Sequence, residues 1–170
     1  MASSLKIAQA IAEQGRSNRS AAGHAHHFAG HRARLTQEIG ARRPAAGGGR
    51  LCLLGAGVAN DVDLDALGAL FAEIHLVDID ADAIQTARAR ARPETAAHLQ
   101  LHAPCDLSGV FDRMDGWAQS PPDTAELRPL ADAAVARVVA GLPGPFDLVV
   151  SCCLLTQLQL VLFQVVGEHK

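Results

Sequence analysis

From residue 50 onward the chain alternates short apolar runs with longer stretches of mixed polarity. RLCLLG (50–55), EIHLVDID (73–80), HLQLHA (98–103) and FDLVVS (146–151) are four runs of strand length. Between them DVDLDALGALFAE, ADAIQTARARAR and DTAELRPLADAAVARVVAGL are rich in helix-forming Ala, Leu and Arg. Asn60 or Asp61 can cap the first of these helices and Asp80 the second, while the third ends at Gly141 and Pro143. Strands alternating with helices of about ten or more residues predict an α/β fold: a doubly wound, mainly parallel sheet with helices on both faces. Residues 1–43 read as helical and amphipathic in pieces, with Ile7 and Ile11 one turn apart and Leu5, Ala8 and Ala12 in a second row. Residues 44–50, with a Pro and three glycines, read as a linker ahead of a domain covering 51–170.

Charge divides at the same boundary. Residues 1–50 hold eight Lys/Arg against Glu13 and Glu38, net +6, while the remaining residues hold seven basic and sixteen acidic groups, net −9. A basic segment on an acidic body is compatible with a nucleic acid or another anionic partner; a helical arm lying against its own acidic domain is the simpler reading. The absence of Tyr and the single Trp argue weakly against recognition by base stacking. Cys52, Cys105, Cys152 and Cys153 lie in or beside apolar runs without zinc-ribbon spacing, and read as reduced, mostly buried thiols of a cytoplasmic protein. The N-terminal stretch lacks the apolar core of a signal peptide. Residues 148–166 carry no formal charge over nineteen positions, but Ser151, Thr156 and three glutamines break the run. A buried strand turning into an apolar helix accounts for it better than a membrane span.

The first strand runs directly into Gly55-Ala56-Gly57. Glycine lets a backbone turn tightly and approach a ligand with no Cβ in the way, and the helix that follows offers free N–H groups. In a parallel sheet, ligands bind at the carboxyl ends of the strands. Asp78 stands at the end of the second strand, twenty-one residues after Gly57, where an acidic side chain accepts hydrogen bonds from ribose hydroxyls in nucleotide-binding α/β folds. A dinucleotide fingerprint needs a third glycine where Asn60 stands, and Asp61 brings negative charge toward the place of a pyrophosphate. A cofactor with a cationic centre and a free amino group, such as S-adenosylmethionine, suits the loop better than NAD.

These stretches resemble the class I S-adenosylmethionine-dependent methyltransferases, which are Rossmann-like. LCLLGAGVANDVDL is similar to their first motif, LVDIDADAIQTAR to the second, HLQLHAPCDLSG to the third strand with its acidic loop, and GPFDLVVSCCLL to the fourth motif. The resemblance spans about residues 50–160 and implies S-adenosyl-L-methionine as cofactor and methyl transfer to an acceptor that the sequence does not identify. It implies that the backbone of Gly55, Ala56 and Gly57 borders the methionine part, that Asp78 binds the ribose and that Ile79 packs on the adenine. It further implies that Asp106 accepts from the adenine amino group with Leu107 beside it, and that Ser151 lines the site. Leu53 and Ala59 depart from the family pattern, which often has an acidic residue and a glycine there; on this resemblance Asp61 is expected to replace in part the missing carboxylate near the cofactor's amino group. The Asp/Asn-Pro-Pro-aromatic set of base amino-methyltransferases is replaced by Ser151-Cys152-Cys153-Leu154. Neither cysteine follows a proline as the nucleophile of cytosine C5 methylation does, and no catalytic residue is assigned.

Two clusters read as structural. His24, His26, His27 and His31 have spacings that can bind zinc or nickel, but no carboxylate or cysteine close in sequence completes the set. An N-terminal helix bearing them could instead cover the substrate side of the site. Asp61, Asp63 and Asp65 alternate like a calcium loop without its glycine or terminal Glu, and suit a helix N-terminus. The family's core carries further strands beyond the fourth, so the sequence is expected to be the N-terminal part of a longer domain, or to be completed by a partner chain or a second copy along the open edge of its sheet. The alternatives to a methyltransferase are an NAD-type oxidoreductase domain and a non-catalytic binding module that acts through its basic arm.

Overall fold

A computed structural model describes residues 11–20, 25–45, 47–117 and 120–152, with positions 154, 158, 159 and 163 beyond them. Leu5, Ile7 and Ala8, His24, Cys153 and most of the apolar run after the fourth strand lie outside the described residues.

Residues 11–20 form a helix, α1. A 3-10 turn, Ala25–Phe28, leads into α2 (Ala29–Ala41). The strands are β1 (Gly49–Leu54), β2 (Phe71–Val77), β3 (Leu99–His102) and β4 (Leu148–Ser151). They form one sheet in the order β3-β2-β1-β4 with every pairing parallel. The connections carry α3 (Leu64–Gly68), α4 (Ala81–Arg90), α5 (Pro93–Ala96), α6 (Phe111–Trp117) and α7 (Thr124–Gly141). This is an α/β, Rossmann-like arrangement.

Strand alternation separates two very different faces. Register places Leu51 and Leu53 of β1, Ile74 and Leu76 of β2, Leu99 and Leu101 of β3 and Leu148 and Val150 of β4 on one face. That face meets Ile39 of α2, Leu64 and Leu67 of α3, and Ile84 and Ala87 of α4 in a single apolar core. Each such Leu or Ile contributes about 1.5–3 kcal/mol on full burial, which makes this layer the main source of stability. The opposite face carries Arg50, Glu73, His75 and His102. Arg50 Nε donates to Glu73 at 2.8 Å, and its two terminal nitrogens donate to the carbonyls of Pro145 and Pro143, each at 2.8 Å. His75 is buried, with Nε2 3.0 Å from Glu73 and Nδ1 2.9 Å from His102 Nε2. α7 reaches this side, where Arg137, Val138 and Leu142 share a groove with His102.

Several boundaries differ from the sequence expectation. β1 begins at Gly49, inside the expected linker, so of its three glycines Gly47 and Gly48, with φ of 73° and 70°, keep loop conformations. α3 is capped by Asp63, whose side chain accepts from Ala66 N at 3.0 Å, and not by Asn60 or Asp61. The glycine loop consumes the residues in between, so helix can start only at Leu64. Asp80 caps α4 as expected, accepting from Ala83 N at 3.1 Å. α7 opens with a reciprocal capping box of Asp123 and Glu126. Among the described residues no helix is long and apolar enough to cross a membrane.

Candidate functional site

The loop after β1 folds back against the end of β2. The N–H groups of Gly55 and Ala56 both donate to the carbonyl of Val77, at 2.8 and 3.2 Å. This return needs left-handed backbone: φ is 69° at Gly55, 51° at Gly57 and 54° at Ala59. At Gly55 space is also closed, since a Cβ there would lie 3.1 Å from the carbonyl oxygen of Cys152.

Asp78 holds the loop from the other side. The residue is 5% exposed; Oδ2 accepts from Gly57 N at 2.7 Å and Oδ1 from Asp80 N at 2.9 Å. Burial pushes its carboxyl above the ordinary value, while the N–H groups of Asp80 and Gly57 pull the other way. The Ile79 N–H acts on it as well, and the carboxylate still has acceptor capacity left for a hydroxyl donor.

Five of the residues expected from the sequence, Gly55, Asp78, Ile79, Asp106 and Leu107, line one cavity at the carboxyl ends of β1, β2 and β3. Ile11, Gln14, Cys105, Phe111, Leu154 and Leu158 complete its wall. Ile11 was visible in the sequence only as part of an apolar helical row, and Gln14 not at all, because both arrive from α1 by a tertiary contact. Asn18 of α1 donates to Asp80 Oδ2 at 2.9 Å and, through its own oxygen, accepts from Gln14 Nε2 at 3.2 Å.

Four other expected residues stand elsewhere. Ala56 and Gly57 shape the loop and are not cavity wall. Asp61 turns toward α2, with Oδ1 3.6 Å from His31 Nε2. Ser151 is exposed at the end of β4, paired in register with Leu54. Asp106 reaches the cavity, but its carboxylate is already engaged in its own turn. Oδ1 accepts from the N–H and hydroxyl of Ser108, and Oδ2 from Phe111 N at 3.0 Å.

The remaining clusters separate into individual contacts. Asp63 caps α3, and Asp65 accepts from Arg92 N at 2.9 Å, so Asp61, Asp63 and Asp65 face three different partners. The rings of His26 and His27 lie 4.0 Å apart, and both residues are exposed. Among the described residues no group of three or more His, Cys, Asp or Glu is placed to hold a metal ion. Burial, with Cys105 nearby, pushes the Cys52 thiol up to about 11. Burial, then Asp106 and Asp78, raises the Cys105 thiol, so both are protonated at neutral pH.

The lining suits a nucleoside: a buried carboxylate can accept from hydroxyls, beside apolar side chains that can flank a base. The enclosed space is about 40 Å³. Sites for drug-sized ligands reach about 300–1,000 Å³, so entry of a cofactor requires part of the wall to move outward. Comparison of the chain with protein families, curated proteins and solved structures gave no match.

Proposed function

We propose that this chain binds S-adenosyl-L-methionine as a class I methyltransferase or methyltransferase-like domain. The observation that carries the proposal is Asp78. A buried carboxylate at the end of β2 clamps the glycine loop and borders the same cavity as Gly55, Ile79, Asp106 and Leu107. In this reading Asp78 receives the two ribose hydroxyls, Ile79 and Leu107 flank the adenine, and the Gly55–Gly57 backbone borders the methionine part. The cofactor supplies an electrophilic methyl group. The chain's contribution is to align an acceptor with it and exclude water, for which proximity supplies much of the rate.

The dinucleotide alternative is disfavoured by Asn60. A third glycine would let helix and strand pack closely there, whereas Asn60 is buried and its carbonyl and side-chain oxygens take Arg32 at 3.3 Å and Arg90 at 3.2 Å. Calorimetric titration with S-adenosylmethionine, S-adenosylhomocysteine and NAD tests the choice. Micromolar binding of the first two and none of NAD is expected; preference for NAD would replace this reading by the oxidoreductase one. Cofactor binding without turnover on any acceptor would leave a non-catalytic module.

A further inference from the structure

The cavity needs something to read the base, and the residue expected for that task is largely committed. Asp106 Oδ1 takes both the N–H and the hydroxyl of Ser108, and Oδ2 takes Phe111 N–H, within its own turn. Gln14 reaches the same cavity from α1. Its Nε2 donates to Asn18 Oδ1, and among the described residues its Oε1 has no partner.

The direction of that amide is set from a distance. A carboxylate only accepts, so Asp80 Oδ2 requires Asn18 to present its NH₂. Asn18 then turns its oxygen to Gln14, and Gln14 must present its own NH₂ in return. Reversing Gln14 alone would set two oxygens against each other, and reversing both amides would set Asn18 Oδ1 against the Asp80 carboxylate. Asp80 is itself fixed, since its Oδ1 caps α4 and its N–H donates to Asp78. The relay therefore leaves Oε1 as the end of the amide not engaged by Asn18, on a residue that lines the cavity.

We propose that Gln14 is a specificity-determining residue of this site: its Oε1 accepts from the amino group of a 6-aminopurine and disfavours a 6-oxopurine, whose oxygen would face another acceptor. The inference rests on the nucleoside reading of the cavity, but not on methyl transfer. It requires α1 to stay latched through Asn18 when a ligand enters, so the wall that yields is elsewhere.

The test is the affinity of the full chain for adenosine and for inosine, measured by calorimetry in the unaltered protein, Gln14→Ala and Asp80→Asn. The unaltered chain is expected to prefer adenosine by about tenfold, the scale of one well-placed hydrogen bond. Gln14→Ala brings the ratio close to one. Asp80→Asn keeps a good helix cap but can donate as well as accept, so it frees the relay to reverse and strengthens inosine binding. An unchanged ratio in Gln14→Ala overturns the proposal, and so does tighter adenosine binding in that variant, which would make Gln14 a plug. Failure of both nucleosides to bind overturns it together with the base site. Adenosine binding without S-adenosylhomocysteine binding overturns the cofactor reading and leaves Gln14 in its role.

Discussion

Gly55, Gly57 and Ala59 share the left-handed backbone region at alternate positions of one loop, yet only two of them are glycine. An L-residue there carries about 1–2 kcal/mol of strain, part of which is offset because alanine also has less freedom to lose on folding. Ala59→Gly is therefore expected to stabilise the chain by up to about 1 kcal/mol in chemical denaturation. Gly55→Ala should do the reverse by about 1–3 kcal/mol, since it adds both strain and contact with Cys152 and Leu154. A loss of stability in Ala59→Gly would contradict this backbone. The same comparison explains a departure noted in the sequence: Ala59 stands where a glycine is expected and adopts a glycine's conformation.

Among the elements, the polar face of β1, β2 and β3 sets the response to acid. Burial, and then the neighbouring His75, hold the His102 imidazole below its ordinary 6.5. The unfolded chain takes up that proton more readily than the folded one. Stability from this group is complete above 6.5 and is lost as pH falls toward the depressed value. Glu73, lowered by Arg50 and then His75, acts in the same direction at more acidic pH. Denaturation midpoints should fall between pH 7.5 and 5.5, a range chosen about one unit either side of an ordinary histidine. His102→Gln should flatten the change, and an unaltered slope in that variant would assign the effect to other groups. The strands were legible in the sequence because the apolar face of the sheet imposes short runs of Leu, Ile and Val that stand apart from the helical stretches between them. Asp80 was legible as a cap because a helix pattern starts directly after it. The cap of α3 was not, because Asp61, Asp63 and Asp65 were chemically equivalent until the loop fixed where helix begins. Asp78 and its glycine loop were readable from their positions at strand ends. Asn18 and Gln14 were not, because the Asn18–Asp80 contact spans 62 residues. Nor could the sequence tell whether Asp106 would serve a ligand or its own turn.

At the scale of the molecule, β3 and β4 are the edges of the described sheet. Within β4 Val149 is 52% exposed, and on α7 Val135 and Val139 are 64% and 66% exposed. An open strand edge with apolar neighbours is a template for association. The chain is expected to self-associate with rising concentration in light scattering, and Val135→Glu with Val139→Lys to reduce it; a monodisperse monomer at every concentration would show that these surfaces are benign. The proposed cofactor site turns on one carboxylate, that of Asp78. Its most direct test is calorimetric titration of S-adenosylhomocysteine into the unaltered chain, Asp78→Asn and Asp78→Ala. Micromolar binding that weakens at least about tenfold in both variants is the predicted result, because hydroxyl donors lose a buried charged acceptor. No binding to the unaltered chain, or binding indifferent to Asp78, would contradict it.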